Sequence, residues 1–309
     1  MSQSSSPSMP QSRSVQGGDY ALGAALYFLW GIVPAYFKQF HIASPYEVVI
    51  HRIIWSFLFL LLFVLMTNRL GELKRAASNG RVIGLLALSS LLISVNWLLN
   101  VIATVENHIF AVSFAFFLAP LFSVALGVLI FHENVSRAQT VAIGFAGAGV
   151  ALMAITALTT LWMSIGMAVC FSVYGVIRKV APVEATAGLV IETALMAPLA
   201  LIWMLWIHSH GTAAFGQSTR ESLLLVSSGI VLMAPLLVFG IVVRRLPLVA
   251  VGLLQFIAPS VTFAIALFIY HEPLGLQKLI SFILIWIGLA IFCRDVIVRA
   301  GAARKAART

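Results

Sequence analysis

Charge is scarce in this sequence. Asp, Glu, Lys and Arg make up 9% of its 309 residues, where a soluble domain carries about 25%. With 61% of the chain apolar, the residues cannot be arranged to hide that surface from water, and the natural solvent is lipid. Cysteine is nearly absent. The two present, Cys170 and Cys293, each lie inside an apolar stretch, which excludes a disulfide framework and a CxxC metal site. The ten acidic residues are scattered, whereas a membrane-embedded enzyme acting on lipid-linked substrates would want clustered carboxylates or metal ligands at one interface. No GxxxxGK[ST] loop, G-x-S-x-G elbow or HExxH helix occurs, so ATPase, hydrolase and zinc-protease chemistry has no carrier. His208 and His210 have no further ligands nearby in sequence, and no metal or cofactor is expected. The period-2 alternation of a β-barrel is missing too. Residues 56–66 and 249–269 are apolar on every face, which leaves helices.

What the chain does have is ten apolar stretches of the length a spanning helix needs, about 20 residues. They run 20–39, 46–66, 82–104, 110–131 and 138–155, then 162–181, 186–207, 222–243, 249–270 and 276–296. Between them fall breakers: Ser44-Pro45, Asn68 with Gly71, Asn79-Gly80, Asn107, Asn134, Thr159-Thr160, Pro182, Gly211 with Gly216, Pro247 and Pro273. Residues 1–18 read as a disordered tail rather than a cleavable signal peptide, and 299–309 as a basic tail.

The net charge of +9 does not point to nucleic acid, because the cations sit in short connections between spans. If the N-terminus is cytoplasmic, fifteen of the nineteen Lys and Arg residues fall inside; Lys38, Arg52, Arg220 and Lys278 do not. That asymmetry predicts a multi-pass protein of the bacterial inner membrane with both termini in the cytoplasm. Membrane lipid is its expected surrounding, and a monomer is assumed.

The chain also repeats itself. Residues 117–133 match 256–272 without a gap, and seven of the 17 pairs are identical, among them Pro120/Pro259, His132/His271 and Glu133/Glu272. Trp30-Gly31 faces Tyr174-Gly175, His51 faces Glu192, and Ser89-Ser90 faces Ser227-Ser228. Five spans per half is an odd number, so the second half must enter from the opposite side. The predicted fold is an all-α polytopic membrane protein of two inverted five-helix repeats, 19–156 and 157–298, with a binding site near the midplane.

Ionisable and strongly polar side chains inside spans are costly and usually face a cavity or a partner. His51-Arg52 lies roughly 10 Å below the outer surface at 1.5 Å per residue. Arg52 is a candidate for an anionic or carbonyl group of a solute, against a structural clamp on a helix carbonyl; His51 is a candidate gate or proton-coupling group. Glu192 is the second such candidate, against an ion pair with Arg178 or Lys179. Asn96, Trp97 and Asn100 suit hydrogen bonding and stacking of a polar solute, against an interhelical bond worth about 0.6 kcal/mol. Trp30 and Tyr174 lie deep in their spans and can line a cavity or simply pack; Gln255 is of the same kind. Pro34, Pro120, Pro235 and Pro259 can hinge or kink their helices. Glu133 and Glu272 read as helix-end caps. Gly144, Gly147, Ala148 and Ala151 are expected to allow close helix packing within the monomer.

Taken in order, several segments carry a resemblance. Tyr27-Phe28-Leu29-Trp30-Gly31 leads to Pro34-Ala35-Tyr36-Phe37-Lys38, then His51-Arg52 with Trp55-Ser56. Asn96-Trp97-Leu98-Leu99, Tyr174-Gly175 with Arg178-Lys179, Ile191-Glu192-Thr193, and Gln255 with Pro259 continue it. Over nearly all of 20–296 the chain resembles the RarD-like proteins, named for chloramphenicol sensitivity, of the EamA type in the drug/metabolite transporter superfamily. The resemblance implies ten helices, inverted halves, a central cavity and export-type transport of small metabolites. Two departures stand out. The fourth span has Ala111, Phe116 and Ala119 where the family is more polar, and the family's glycine before the span-end glutamate is His132 or His271 here. The expected function is alternating-access transport of a small solute, with or without proton coupling. The rivals are the lipid-substrate enzyme and a non-transporting sensor or assembly subunit.

Overall fold

The computed structural model describes residues 17–106, 108–154, 161–271 and 275–306, and every regular element among them is a helix. They are α1 (Gly17–Phe37), α2 (Pro45–Met66), α3 (Leu70–Ala77), α4 (Gly80–Val105), α5 (Ile109–Phe131) and α6 (Arg137–Ala154). The second half holds α7 (Leu161–Val180), α8 (Ala185–Ser209), α9 (Thr219–Arg245), α10 (Leu248–Gln255), α11 (Ile257–Phe268) and α12 (Leu276–Ala306). Ten spans are long and apolar enough to cross a membrane, α10 and α11 together forming the ninth. Asn107, Thr159-Thr160, Glu272, Pro273 and the first sixteen residues lie outside the described residues.

Local chemistry explains the helix starts. Ser44 Oγ accepts the Glu47 amide ahead of Pro45, Asn79 accepts the Arg81 and Val82 amides, and Ser218 accepts the Glu221 amide, each satisfying donors that a helix leaves open. Three features differ from the sequence reading. Gly17 and Gly18, read as the end of the N-terminal tail, are already helical. The connection after α2 holds the extra helix α3, eight residues with Lys74 and Arg75 in the last turn. The ninth span is broken at Phe256. Pro259 explains the break: it has no N–H for the Gln255 carbonyl four residues back.

The left-handed turn after α5 has a counterpart after α11. His132 has φ 49° and His271 has φ 51°, so two positions matched by the sequence repeat share one uncommon conformation. Glycine adopts it without a Cβ penalty, which accounts for the family's glycine at this place.

Lateral packing follows the same relation. α2 packs on α8, α5 on α10, and α6 on α12; α5–α7 is matched by α11–α1, α4–α7 by α9–α1, and α2–α9 by α8–α4. When every span is exchanged for the one five places along, the first three pairings map onto themselves and each of the others onto its observed match. The two halves therefore interleave rather than sit side by side. Close crossings rest on glycine: a Cβ on Gly31 would lie 2.6 Å from the Ala258 carbonyl oxygen, and one on Gly252 would lie 2.6 Å from that of Pro120. At the α6–α12 crossing Gly149 and Gly288 do this work, with Ala142 and Ala146. Here the sequence reading is corrected. Gly144, Ala148 and Ala151 are exposed, and a Cβ on Gly144 or Gly147 would meet nothing, because α12 docks on the neighbouring 142/146/149/153 face instead.

Candidate functional site

We refer to the end of the bundle that carries Gly17 as proximal and to the other as distal. Both ends are tied by polar groups. At the distal end Glu47 accepts the Ala214 and Phe215 amides, and Glu221 accepts those of His41 and Ile42. At the proximal end Arg245 pairs with Asp19 at 3.2 Å. Lys179 donates to the Val243 carbonyl at 3.0 Å and to that of Leu246. Glu133 caps α10 by accepting the Leu248 and Val249 amides at 2.7 and 2.8 Å. It is thus a cap, as its position suggested, but on α10 across the bundle.

Between the ends, the candidate residues divide among three places. In the distal half Arg52, on α2, lies over the Trp97 ring of α4 with its guanidinium carbon 4.1 Å from the ring centroid. Its Nε is buried and makes no hydrogen bond, which is equally true of Arg178 Nε; what sets Arg52 apart is the lack of a carboxylate partner. None of the ion pairs among the described residues includes Arg52. A ring face attracts a cation through its quadrupole but accepts none of the guanidinium's directed hydrogen bonds, so the cation is seated and not neutralised.

His51, one residue away, points elsewhere. Trp55 Nε1–H donates to its Nδ1 at 3.2 Å, which leaves the ring proton on Nε2, facing Glu47 at 3.8 Å. Its ring stacks on Phe215 with centroids 5.0 Å apart. His51 is thereby part of the distal tie, which the sequence could not show because Phe215 comes from a connection about 160 residues away. Asn96 donates to the Met167 carbonyl at 2.8 Å. The interhelical bond weighed at sequence level for Asn100 thus falls to Asn96, while Asn100 is half-exposed on the same face.

The middle of the bundle is aromatic with a polar seam. Trp30 stacks on Tyr27 and meets Phe171 and Phe239 edge-on at 5.6 and 6.0 Å; Tyr174 stacks on Phe239 at 5.8 Å. Trp30 keeps partial exposure, whereas Tyr174 is 1% exposed and packs inside this cluster. Gln255, at the α10–α11 break, bonds Ser123, and Ser123 reaches Ser172. The buried Tyr27 hydroxyl closes no hydrogen bond beside them.

The proximal half holds Glu192 in a sealed hub. Arg178 Nη1 meets its Oε1 at 3.4 Å, Ser89 Oγ donates to the same oxygen, and the Tyr174 hydroxyl donates to Oε2 at 3.3 Å. Arg178 also donates to the Ala185 carbonyl at 3.0 Å. A Cβ on Gly188 or Gly240 would strike the guanidinium, so these glycines make its slot. Both side chains are at most 2% exposed. The hub joins α4, α7 and α8 against α9. Sequence reasoning weighed Arg178 as a partner and overlooked Ser89's place in the hub, although its Ser-Ser pair was visible in the repeat.

Of the four candidate hinges, Pro34, Pro120 and Pro235 sit inside continuous helices, and only Pro259 adjoins a break. No group of three His, Cys, Asp or Glu side chains able to hold a metal occurs among the described residues.

Comparison with known proteins agrees with this arrangement. Residues 19–155 match the EamA-like transporter family. Protein RarD of Escherichia coli (strain K12) is 36% identical over 277 residues, 89% of this chain and 94% of that protein. An uncharacterized transporter of Pseudomonas aeruginosa is 36% identical over 89% of this chain and 93% of its own length. An uncharacterized transporter of Bacillus subtilis, YojE, is 36% identical over 87% and 91%. A solved crystal structure superposes with a TM-score of 0.69 at 17% identity, covering 90% of this chain and 98% of its own, which bears on the fold alone. The chain is a multi-pass membrane protein and belongs to the RarD-like branch of the EamA-type drug/metabolite transporters.

Proposed function

We propose that this protein is a secondary transporter that carries a small organic solute by alternating access, holding it beside Arg52 and Trp97 between the interleaved halves. The observation that carries this reading is Arg52 itself. A cation seven residues into a span, seated on a ring and without a protein acceptor among the described residues, is expensive unless something else meets it. A purely structural arginine in this bundle looks like Arg178, with a carboxylate and a carbonyl. The half-exposed Asn100 follows Trp97 by one turn on α4, and Trp30 belongs to the aromatic middle through which a solute would continue.

With both termini in the cytoplasm, as the Lys and Arg distribution supports, Arg52 lies in the outer half, beneath the Glu47 and Glu221 ties. The Arg178–Glu192 hub and the Lys179 contacts then close the cytoplasmic half. Transport requires exchanging these closures, through rocking of inverted halves in which the four prolines and the Phe256 break are the flexible points. The geometry favours a carrier that does not use Glu192 or His51 for protons. Glu192 is committed to Arg178, and His51 to Trp55 and Glu47.

Uptake into proteoliposomes of a panel of metabolites and drug-like solutes, with and without a pH gradient, tests this. Solute-specific uptake that Arg52→Gln abolishes is expected. A wild-type protein that moves no solute, and that none stabilises against heat, would instead favour the sensor or assembly role. Uptake that follows the gradient and fails in Glu192→Gln would restore proton coupling.

A further inference from the structure

Resting on that transport reading, we infer that the solute is a monoanion whose oxyanion group is bound by Arg52, and that the carrier works as an anion exchanger. The inference comes from comparing Arg52 with the other charged groups that tie the bundle. Arg178 has Glu192; Lys179 has Glu133 at 4.0 Å and two carbonyls; Arg245 has Asp19. The distal carboxylates keep their charge but are held away from Arg52, Glu47 by the Ala214 and Phe215 amides and Glu221, through one oxygen, by those of His41 and Ile42. Neither forms an ion pair with Arg52 among the described residues. Arg52 remains, with one full positive charge, a buried Nε that bonds nothing, a tryptophan ring against it, and no carboxylate paired with it among the described residues.

Guanidinium donors match a carboxylate or phosphoryl group through paired, charge-assisted hydrogen bonds. Trp97 blocks one face of the guanidinium and narrows where such a group can lie. One cation balances one negative charge, which sets the valence. A neutral or cationic solute would leave Arg52 uncompensated.

The same count fixes the mode of transport. With the anion bound, the charge of Arg52 is cancelled, and its change of access is not opposed by the membrane. Empty, it carries +1, and that charge both resists enclosure in a low-dielectric bundle and feels the membrane potential. Return of the empty carrier is therefore the slow step, and a potential of 100 mV can alter its rate by up to about 50-fold if the whole charge crosses the field. Anion-for-anion exchange bypasses that step.

Two measurements on the purified full-length protein test the inference. The first is thermal stabilisation by benzoate, phenyl phosphate, benzamide and benzylamine. Benzoate is expected to stabilise most, phenyl phosphate less because its second charge has no partner, and the neutral and cationic analogues not at all. Arg52→Gln should weaken benzoate binding at least about tenfold, and Arg52→Lys should keep the preference for anions. A phosphate preference over benzoate would place the phosphoryl group, rather than the carboxylate, as the oxyanion and overturn the single-charge match.

The second is uptake of labelled benzoate into proteoliposomes, corrected with protein-free vesicles. Internal benzoate should accelerate it at least tenfold and remove its sensitivity to potential. Uptake indifferent to internal anion would overturn exchange. Stabilisation and counterflow by benzamide or benzylamine, but not by the anions, would overturn the anion class while leaving the carrier reading intact. No binding and no counterflow of any of the four would overturn both.

Discussion

Replacing Glu192 by Gln changes almost nothing in shape and removes one charge from the most enclosed ion pair in the bundle. Arg178, at 2% side-chain exposure, keeps the Ala185 carbonyl and loses its carboxylate. The slot cannot relax, because a Cβ-free path past Gly188 and Gly240 is what admits the guanidinium. Breaking a buried pair from one side costs about 3–5 kcal/mol. Glutamine retains one acceptor for Ser89 or Arg178, which places the expected loss near the lower end, roughly 3 kcal/mol. At somewhat under 2–4 °C per kcal/mol for a chain this long, thermal unfolding in detergent should fall by roughly 5 °C. Arg178→Met should cost a similar amount. The double variant, which removes the unpaired charge altogether, should recover much of the loss, since an apolar replacement of a buried pair is often neutral. If Glu192→Gln melts with the wild type, or the two losses simply add, the hub does not hold the proximal half closed in the way described.

Three further changes probe the frame around the site. His132→Gly should raise stability by about 0.5–1 kcal/mol, read as a higher melting temperature, because it relieves a left-handed residue that glycine adopts freely. Glu133→Ala should lower stability by about 1–2 kcal/mol through loss of the α10 cap, visible as faster hydrogen exchange at Leu248 and Val249. Gly252→Ala should destabilise by roughly 1–3 kcal/mol, because its new Cβ meets the Pro120 backbone oxygen rather than a movable side chain.

The spans were legible because lipid imposes a single simple rule, and their ends agree with the sequence reading to within a few residues except the last, where α12 continues ten residues past 296 into the basic tail. What escaped depends on contacts between distant segments or on weak local signals. α3 is eight residues long, and Gly71 within it reads as a breaker. The Phe256 break follows from Pro259, but Pro120 occupies the matched position in a continuous α5, so proline alone does not forecast which helix parts. The charged residues were visible as candidates, yet their roles were decided by partners from other helices. Arg178 sits fourteen residues before Glu192, and Ser89 more than a hundred away. The small-residue face of α6 shows the reverse error. Composition suggested packing, but which stripe of a uniformly apolar helix meets α12 is set by the glycines of both partners. Arg52 differs from Arg178 only in what surrounds it, and the sequence is silent on that.

The most direct measurement of the central claim is access to the Arg52–Trp97 region from each side of the membrane. Cysteine at position 100, in a chain with Cys170→Ser and Cys293→Ser, would be exposed to an impermeant thiol reagent in right-side-out and inverted vesicles. The account predicts labelling from the outside, slower labelling from the cytoplasmic side, and protection from both by a transported solute. Labelling from one side only, unaffected by any solute, would contradict it.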